Sequence, residues 1–146
     1  MRIIIIGGVA AGAKAAAKSK RLLPDADVHI YTKDTFVSYS SCGLPYYVAG
    51  DFEDWHKLIV RTKEEFEKSG INVHTEHQVT KILPADKKIL VKDLKLGVCN
   101  FVEYDKLIIA TGAAPFIPDI KNTGLKNIFT LRTLEDGINI RSAMEK

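Results

Sequence analysis

The sequence predicts an α/β fold in which an antiparallel β-meander is inserted into a parallel sheet. Residues 3–6 are four isoleucines, a pattern typical of a strand buried on both faces, as in parallel sheets. A glycine-rich turn, a helical stretch and a second strand follow directly, and together they predict a βαβ unit. Further along, three short strand-like runs alternate with tight turns, which is typical of a meander.

The first βαβ unit has clear sequence boundaries. The turn covers residues 7–12, and residues 13–23, rich in Ala, Lys and Leu, predict a helix that stops before Pro24. Residues 27–32 predict the second strand. Residues 35–50 then form a polar, aromatic loop punctuated by Gly and Pro.

The middle of the chain returns to the α/β pattern. Thr62 is placed to cap a short helix over residues 63–68, which Gly70 ends. Residues 71–74 predict the next parallel strand. The meander follows, with predicted strands at residues 78–83, 87–92 and 98–104.

The last part of the chain predicts two strands and a helix. Residues 106–110 are apolar enough for a buried strand, and residues 129–131 predict a short final strand. Thr133 is placed to cap a helix that runs to Met144.

Composition excludes several classes of protein. With 46% hydrophobic and 27% charged residues, the chain has enough apolar surface for a core. A net charge of +3 is too small to imply a nucleic-acid partner, and no apolar run approaches the ~20 residues of a membrane span. Two cysteines exclude a disulfide scaffold and a four-Cys zinc site, and they are typical of the reducing cytoplasm. We expect no metal site, because the four histidines show no ligand spacing: His29, His56, His74 and His77.

The turn after the first strand resembles a phosphate-binding loop. Gly7 and Gly12 occupy the first and third glycine positions of the dinucleotide fingerprint, whereas Val9 occupies the second. The helix N-terminus behind it offers free N–H groups to an anion. Thr32 ends the second strand, where the fingerprint expects an acidic ribose ligand. The residues predict nucleotide binding, and a purely structural glycine turn is the alternative.

Cys42 lies in the middle of the loop between residues 35 and 50. Pro45 is suited to the first turn of a helix, which would place Cys42 at or near the helix N-terminus. The helix dipole there favours the nucleophilic thiolate. The alternative is a small buried hydrophobe, the usual role of a free cysteine. The spacing alone leaves both readings open.

Three stretches resemble the flavin domain of the single-cysteine pyridine nucleotide–disulfide oxidoreductases. They are residues 3–23, the Ser-Tyr-x-x-Cys-Gly-Leu-Pro-Tyr segment within residues 38–47, and residues 104–118. That family includes coenzyme A-disulfide reductases, NADH oxidases and NADH peroxidases. The resemblance implies a Rossmann-like FAD-binding domain in which Cys42 is catalytic and faces the isoalloxazine ring.

The resemblance also assigns the cofactor contacts. The residues that it places on FAD are Gly7, Gly8, Val9, Ala10, Ala11, Gly12, Thr32, Lys33, Val79, Ala110, Thr111, Gly112 and Arg132. Relatives carry a separate NAD(P)H domain and a dimerisation domain. We therefore expect residues 1–146 to be the N-terminal portion of the FAD domain of a longer, homodimeric enzyme that uses NAD(P)H.

The electron acceptor follows from the branch of the family. No second cysteine lies four residues from Cys42, so its redox partner is a substrate thiol or oxygen. Cys99 is interpreted as a packing residue. The peroxidases and classical oxidases are similar in carrying a histidine in the phosphate loop, at the position of Ala10 here. The absence of that histidine favours the disulfide-reductase branch.

The substrate contacts come from the same resemblance. Lys14, Lys18 and Arg21 share one face of the first helix and, with Ser38 and Ser41, match positions where coenzyme A-disulfide reductases contact substrate. We expect a small-molecule disulfide such as coenzyme A disulfide as the acceptor. The alternatives are an NADH oxidase that reduces oxygen, and a non-catalytic nucleotide-binding module.

Overall fold

The computed structural model describes residues 1–145, which form two compact units. The first unit comprises Met1–Ser38 and Arg61–Gly112, and the second comprises Tyr39–Val60 and the residues from Ala113 onward. The elements in chain order are β1 (Arg2–Ile6), α1 (Ala10–Leu22), β2 (Asp27–Tyr31), α2 (Leu44–Ala49), α3 (Lys63–Lys68), β3 (Ile71–His74), β4 (His77–Leu83), β5 (Lys88–Asp93), β6 (Cys99–Glu103), β7 (Lys106–Ile109) and α4 (Leu134–Met144).

The first unit is built on a parallel sheet of four strands in the order β3-β2-β1-β7. The central strand β1 carries the isoleucine run, and its Ile5 pairs with Ile30 on one side and Ile108 on the other. The order places β1 and β2 in the interior of the sheet. The predicted parallel sheet is confirmed.

Each face of this sheet is covered by a different layer. Ile5 and Ile30 pack on one face with Ala16 of α1 and Phe66 of α3, all fully buried. On the other face, the antiparallel sheet β4-β5-β6 buries side chains of β1 and β2. The cluster between the two sheets consists of Ile4, Ile6, Tyr31, Ile89 and Val91. The predicted antiparallel meander is confirmed, and the structure shows that it forms a separate layer on this face.

Two helices begin at capping boxes that the sequence signals. The Thr62 hydroxyl accepts a hydrogen bond from the backbone N–H of Glu65, whose carboxylate accepts one from the N–H of Thr62. Thr133 and Asp136 form the same reciprocal pair at the start of α4. Both predicted helix starts are confirmed. They could be predicted from the sequence because a capping box involves residues only three positions apart.

Helix α1 begins at Ala10, three residues before the predicted start. Ala10 and Ala11 have the highest helix propensity of any residue type, and Val9 takes the N-cap position. The predicted loop of residues 7–12 is therefore shorter, and its last residues form the first turn of the helix.

Two strand predictions are corrected. Strand β7 forms as predicted, but it lies at the edge of the sheet, so it is not buried: Ile109 is 61% exposed. Residues 129–131 belong to neither sheet and are irregular. Their apolar character predicts a strand, but a strand also needs a neighbour for its backbone hydrogen bonds.

The second unit packs α2 against α4. Leu44 and Tyr47 of α2 are buried, and a β-carbon on Gly137 of α4 would lie 3.2 Å from Leu44 Cδ2. The guanidinium of Arg141 lies over the Tyr47 ring, 5.9 Å from its centroid. Across the described part of the chain, no helix has the length and hydrophobicity to span a membrane.

Candidate functional site

Two glycines shape the loop between β1 and α1 by close backbone approach. Gly7 has a φ of +107°, and a β-carbon on it would overlap the carbonyl oxygen of Ala110. A β-carbon on Gly12 would overlap the carbonyl oxygen of Gly7 and lie 2.9 Å from its carbonyl carbon. The first and third glycines of the predicted fingerprint are therefore sterically required.

The N-terminus of α1 presents free donors to an anion. The first-turn N–H groups of Ala10, Ala11 and Gly12 have no acceptor within a helix. The N-cap residue Val9 makes no side-chain cap hydrogen bond, and the first turn has no acidic residue. These donors and the positive end of the helix dipole fit the diphosphate of a dinucleotide such as FAD.

Several other predicted cofactor residues of the first unit lie at the carboxyl edge of the parallel sheet. Gly7 follows β1, and Ala110 follows β7. The backbone N–H of Ala110 donates a hydrogen bond to the carbonyl of Ile6 (2.8 Å). Thr111 and Gly112 continue from Ala110 and are exposed. Ligands of open α/β sheets bind outside this carboxyl edge, so these residues lie where a dinucleotide would bind, and their contacts with FAD stay predictions.

Thr32 follows β2 at this edge and is only 4% exposed. Its hydroxyl lies 3.4 Å from Asp34 Oδ2 and accepts a hydrogen bond from the Asp34 N–H (3.3 Å). Its methyl carbon Cγ2 would lie 3.3 Å from a β-carbon on Gly8. Lys33 is exposed. The side chain of Thr32 therefore lies between the glycine loop and Asp34.

Val79 lies on β4 opposite Val91, and its side chain packs against the core between the two sheets. The family resemblance implies that Val79 contacts the adenine end of FAD. Because the side chain is used in packing, a contact with adenine at this residue would come from its main chain.

Cys42 is exposed, so its interpretation as a buried hydrophobe is wrong. It lies in a short 3₁₀ turn (Ser41–Gly43) directly before α2, and Pro45 lies in the first turn of that helix as predicted. The turn is held by the Ser40 N–H, which donates to the Leu58 carbonyl (2.8 Å). A β-carbon on Gly43 would overlap Leu58 Cδ2. The local structure therefore fixes the backbone around Cys42 and leaves its thiol accessible.

Arg132 connects two segments of the second unit. Its Nε donates to the Ala113 carbonyl (3.0 Å), and its backbone N–H donates to Asp136 Oδ2 (2.8 Å). These bonds tie the start of α4 to the residue that follows Gly112. The structure gives Arg132 a defined position, and its contact with flavin stays a prediction.

The predicted substrate residues of the first unit are accessible to different degrees. Lys14, Lys18 and Arg21 are exposed along α1, on the side opposite the buried Ala13 and Ala16. Ser38 is half-buried and has a φ of +48°, and its N–H donates a hydrogen bond to the Gly8 carbonyl (2.8 Å). Ser41, which belongs to the second unit, is also half-buried. Lys14, Lys18 and Arg21 therefore form an exposed cationic stripe along α1, and its contact with substrate stays a prediction.

Sequence reasoning misses a cluster of histidines on adjacent strands. His29 Nδ1 and His74 Nε2 share a hydrogen bond (3.0 Å), and His29 Nε2 lies 2.8 Å from Asp27 Oδ1. The His74 ring stacks on Tyr31 with a centroid distance of 4.3 Å. Burial lowers the pKa of His74 to about 4. Within residues 1–145, no group of three or more His, Cys, Asp or Glu side chains is arranged to hold a metal ion.

The alternation of β2 and β3 is the signal that could have revealed this cluster. Tyr31 pairs with His74 in the neighbouring parallel strand, and His29 lies two residues before Tyr31. Alternate residues of a strand share a face, so all three side chains lie on the same face of the sheet. A second interpretation, of Cys99 as a packing residue, is wrong, because Cys99 is exposed on β6.

Proteins similar to this chain include enzymes of two kinds. An NADH oxidase of Methanocaldococcus jannaschii is 35% identical over 100% of this chain and 33% of its own length. A coenzyme A disulfide reductase of Staphylococcus epidermidis is 34% identical over 92% of this chain and 30% of its own length. The chain therefore spans about a third of the length of these relatives.

A structural comparison and a family model agree with these relatives. The crystal structure of reduced Bacillus anthracis CoADR-RHD superposes with a TM-score of 0.96 at 31% identity, covering 99% of this chain and 26% of that one. The family model described as pyridine nucleotide-disulphide oxidoreductase matches residues 1–146. On these grounds the chain belongs to the pyridine nucleotide-disulphide oxidoreductase family.

Proposed function

We propose that this chain is the FAD-binding part of an enzyme that uses NAD(P)H to reduce coenzyme A disulfide or a similar disulfide through Cys42. The observation that carries the proposal is the exposed Cys42 thiol on a fixed turn before α2, with no second cysteine close to it in sequence. FAD with a pyridine nucleotide is the cofactor pair of this family. A lone accessible thiol of this kind forms its disulfide with the substrate.

The proposed reaction uses Cys42 as the nucleophile. Its thiolate attacks one sulfur of coenzyme A disulfide, forming a mixed disulfide and releasing one coenzyme A thiolate, which takes up a proton. FAD held by the glycine loop at Gly7–Gly12 would supply, once NAD(P)H has reduced it, the electron pair that cleavage of the mixed disulfide requires. Cys42 then returns to the thiolate as the second coenzyme A leaves. In total, NAD(P)H and one proton convert one disulfide into two thiols.

The first unit supplies the FAD site in this proposal. The donors at the start of α1 would bind the diphosphate, and the close approach of Gly7 to Ala110 brings the loop and the end of β7 together. Arg132, held by Ala113 and Asp136, is the proposed flavin contact in the second unit.

The cationic stripe supplies the proposed substrate specificity. Lys14, Lys18 and Arg21 are exposed on one face of α1, and coenzyme A carries phosphate groups that pair with such cations. The coenzyme A disulfide reductase among the relatives supports this substrate class. Ser38 and Ser41 are further proposed polar contacts with the substrate.

We propose that the complete enzyme is longer than this chain. Within residues 1–145 there is one glycine loop of the dinucleotide type, whereas FAD and a nicotinamide cofactor need two such sites. The similar enzymes are about three times as long. A separate NAD(P)H-binding domain and a dimerisation domain would complete a cytoplasmic homodimer.

An NADH oxidase is the second candidate, because one relative carries that name. Such an enzyme would oxidise Cys42 to a sulfenic acid, which a neighbouring hydrogen-bonding group stabilises. The family resemblance implies a histidine of the oxidases at the position of Ala10, whose methyl side chain forms no hydrogen bond. A non-catalytic nucleotide-binding module is the third candidate.

Steady-state assays of the complete enzyme with NADH and NADPH separate these candidates. We expect thiol release from coenzyme A disulfide, measured with a chromogenic thiol reagent, to exceed oxygen uptake in its absence. NADH-driven oxygen uptake that is faster than thiol release would establish the oxidase instead. Absence of a flavin absorbance band from the purified protein would support the non-catalytic module.

A further inference from the structure

We propose that Asp34 supplies the carboxylate that binds the ribose hydroxyls of the adenosine half of FAD. Dinucleotide folds normally place this acid at the end of the second strand, the position that Thr32 occupies here. The proposal rests on FAD binding along the glycine loop after β1. In this chain the proposed acid, Asp34, lies two residues after the usual position, in the loop that follows β2.

Thr32 is held too firmly to take another role. Its N–H donates to the His74 carbonyl (3.0 Å), and its carbonyl accepts from the His77 N–H (2.8 Å). Its side chain is buried, with the methyl group towards Gly8 and the hydroxyl towards Asp34. The hydroxyl is therefore already engaged with Asp34, and Thr32 acts as a positioning residue.

Asp34 is held at the same carboxyl edge. Its carbonyl accepts a hydrogen bond from the Glu76 N–H (3.2 Å), and its N–H donates to the Thr32 hydroxyl (3.3 Å). The side chain is half-buried, whereas its neighbour Lys33 is exposed. These bonds fix the Asp34 backbone from both sides and keep its carboxylate next to Thr32.

The chemistry of ribose favours a carboxylate at this place. Each ribose hydroxyl is a donor, and a carboxylate offers two oxygens as acceptors. Hydrogen bonds to a charged acceptor are about twice as strong as neutral ones. A threonine hydroxyl alone would be the weaker partner, and the Thr32–Asp34 pair restores a charged acceptor beside the glycine loop.

Competition between two nucleotides tests this contact without an activity assay. The dissociation constant of FAD is measured from quenching of flavin fluorescence, and ADP or 2′,3′-dideoxy-ADP is added as the competitor. We expect the wild-type protein to prefer ADP by about tenfold or more. In Asp34→Asn this preference falls to about threefold or less, and FAD binds about tenfold more weakly.

Three further variants sharpen the test. Asp25→Asn removes an exposed acid at the other end of β2 and should keep the full preference for ADP. Thr32→Glu combined with Asp34→Asn returns an acid to the strand end and should restore it. Asp34→Ser removes the carboxylate in a second way, and thermal melting reports on the fold of each variant.

The proposal is overturned when Asp34→Asn or Asp34→Ser keeps the wild-type preference for ADP, or when the wild-type protein binds both competitors equally. These outcomes leave the proposed redox role of Cys42 untouched, because no step of the competition uses a thiol. A protein that discriminates between the competitors yet fails to release thiols would instead contradict the proposed function alone.

Discussion

The carbonyl group of Gly7 occupies the space that a β-carbon on Gly12 would need. The carbonyl carbon would lie 2.9 Å from that β-carbon, and the carbonyl oxygen would overlap it. The end of strand β1 therefore packs directly on the first turn of α1. This contact fixes the distance between the sheet and the N–H groups that are proposed to bind the diphosphate.

Gly12→Ala should disturb both the fold and the cofactor site. Backbone on both sides of the contact has to move, so we expect a loss of about 1–3 kcal/mol in the free energy of unfolding, together with weaker FAD binding. Gly124→Ala is the matched control, because no atom lies within 4 Å of its β-carbon position. Urea unfolding and flavin fluorescence measure the two effects. Equal stability of the two variants would show that the loop relaxes without cost.

Replacing Lys14, Lys18 and Arg21 with Ala should weaken binding of coenzyme A disulfide. Loss of three exposed phosphate partners is expected to raise the KM by about tenfold, with a smaller effect at high salt. The KM for 2-hydroxyethyl disulfide, which has no phosphate, should stay unchanged. Replacing Lys81, Lys92 and Lys126, which are also exposed, is the control for net charge. An equal rise for both disulfides would assign the stripe to a solvated helix face.

His74 should make the first unit less stable in acid. Its pKa is about 4 in the folded protein, against an ordinary value of 6.5, because burial disfavours the charged ring. The unfolded chain therefore binds more protons between these two values, so stability is complete above about pH 6.5 and declines as the pH falls towards about 4. We expect a decline of about 1–2 kcal/mol, since solvent screens a half-buried group.

Two variants isolate this effect in urea unfolding at about pH 7 and about pH 4. His74→Gln keeps a hydrogen-bonding group beside His29 but does not titrate, so its stability should fall less on acidification than that of the wild-type protein. His56→Gln removes an exposed histidine and should behave like the wild type. The same decline in all three proteins would exclude His74 as its source.

Local sequence signals account for much of this fold. The Thr62–Glu65 and Thr133–Asp136 boxes define two helix starts through hydrogen bonds within one turn. The isoleucine run and the glycine turn predict the βαβ unit because burial and backbone geometry act over a few residues. The positions of Gly7 and Gly12 within the candidate site follow from the same local pattern.

Features that depend on distant partners escape such signals. Residues 129–131 have the composition of a strand but belong to neither sheet, and β7 is exposed because only β1 lies beside it. The contact between His29 and His74 joins residues that are 45 positions apart. Thr32 and Asp34 are close in sequence, but the sequence does not show that the other side of Thr32 lies next to Gly8. That contact is what places the pair beside the glycine loop.

The most direct test of the account is the mixed disulfide on Cys42. The complete protein is incubated with coenzyme A disulfide without NAD(P)H, and its mass is measured before and after reduction, in parallel with Cys42→Ser and Cys99→Ser. We expect the wild type and Cys99→Ser to gain one coenzyme A each and to turn over normally with NAD(P)H. Cys42→Ser should keep its FAD, gain no adduct and lose disulfide reduction. Near-normal turnover by Cys42→Ser, or an adduct that forms on Cys99 instead, would contradict the account.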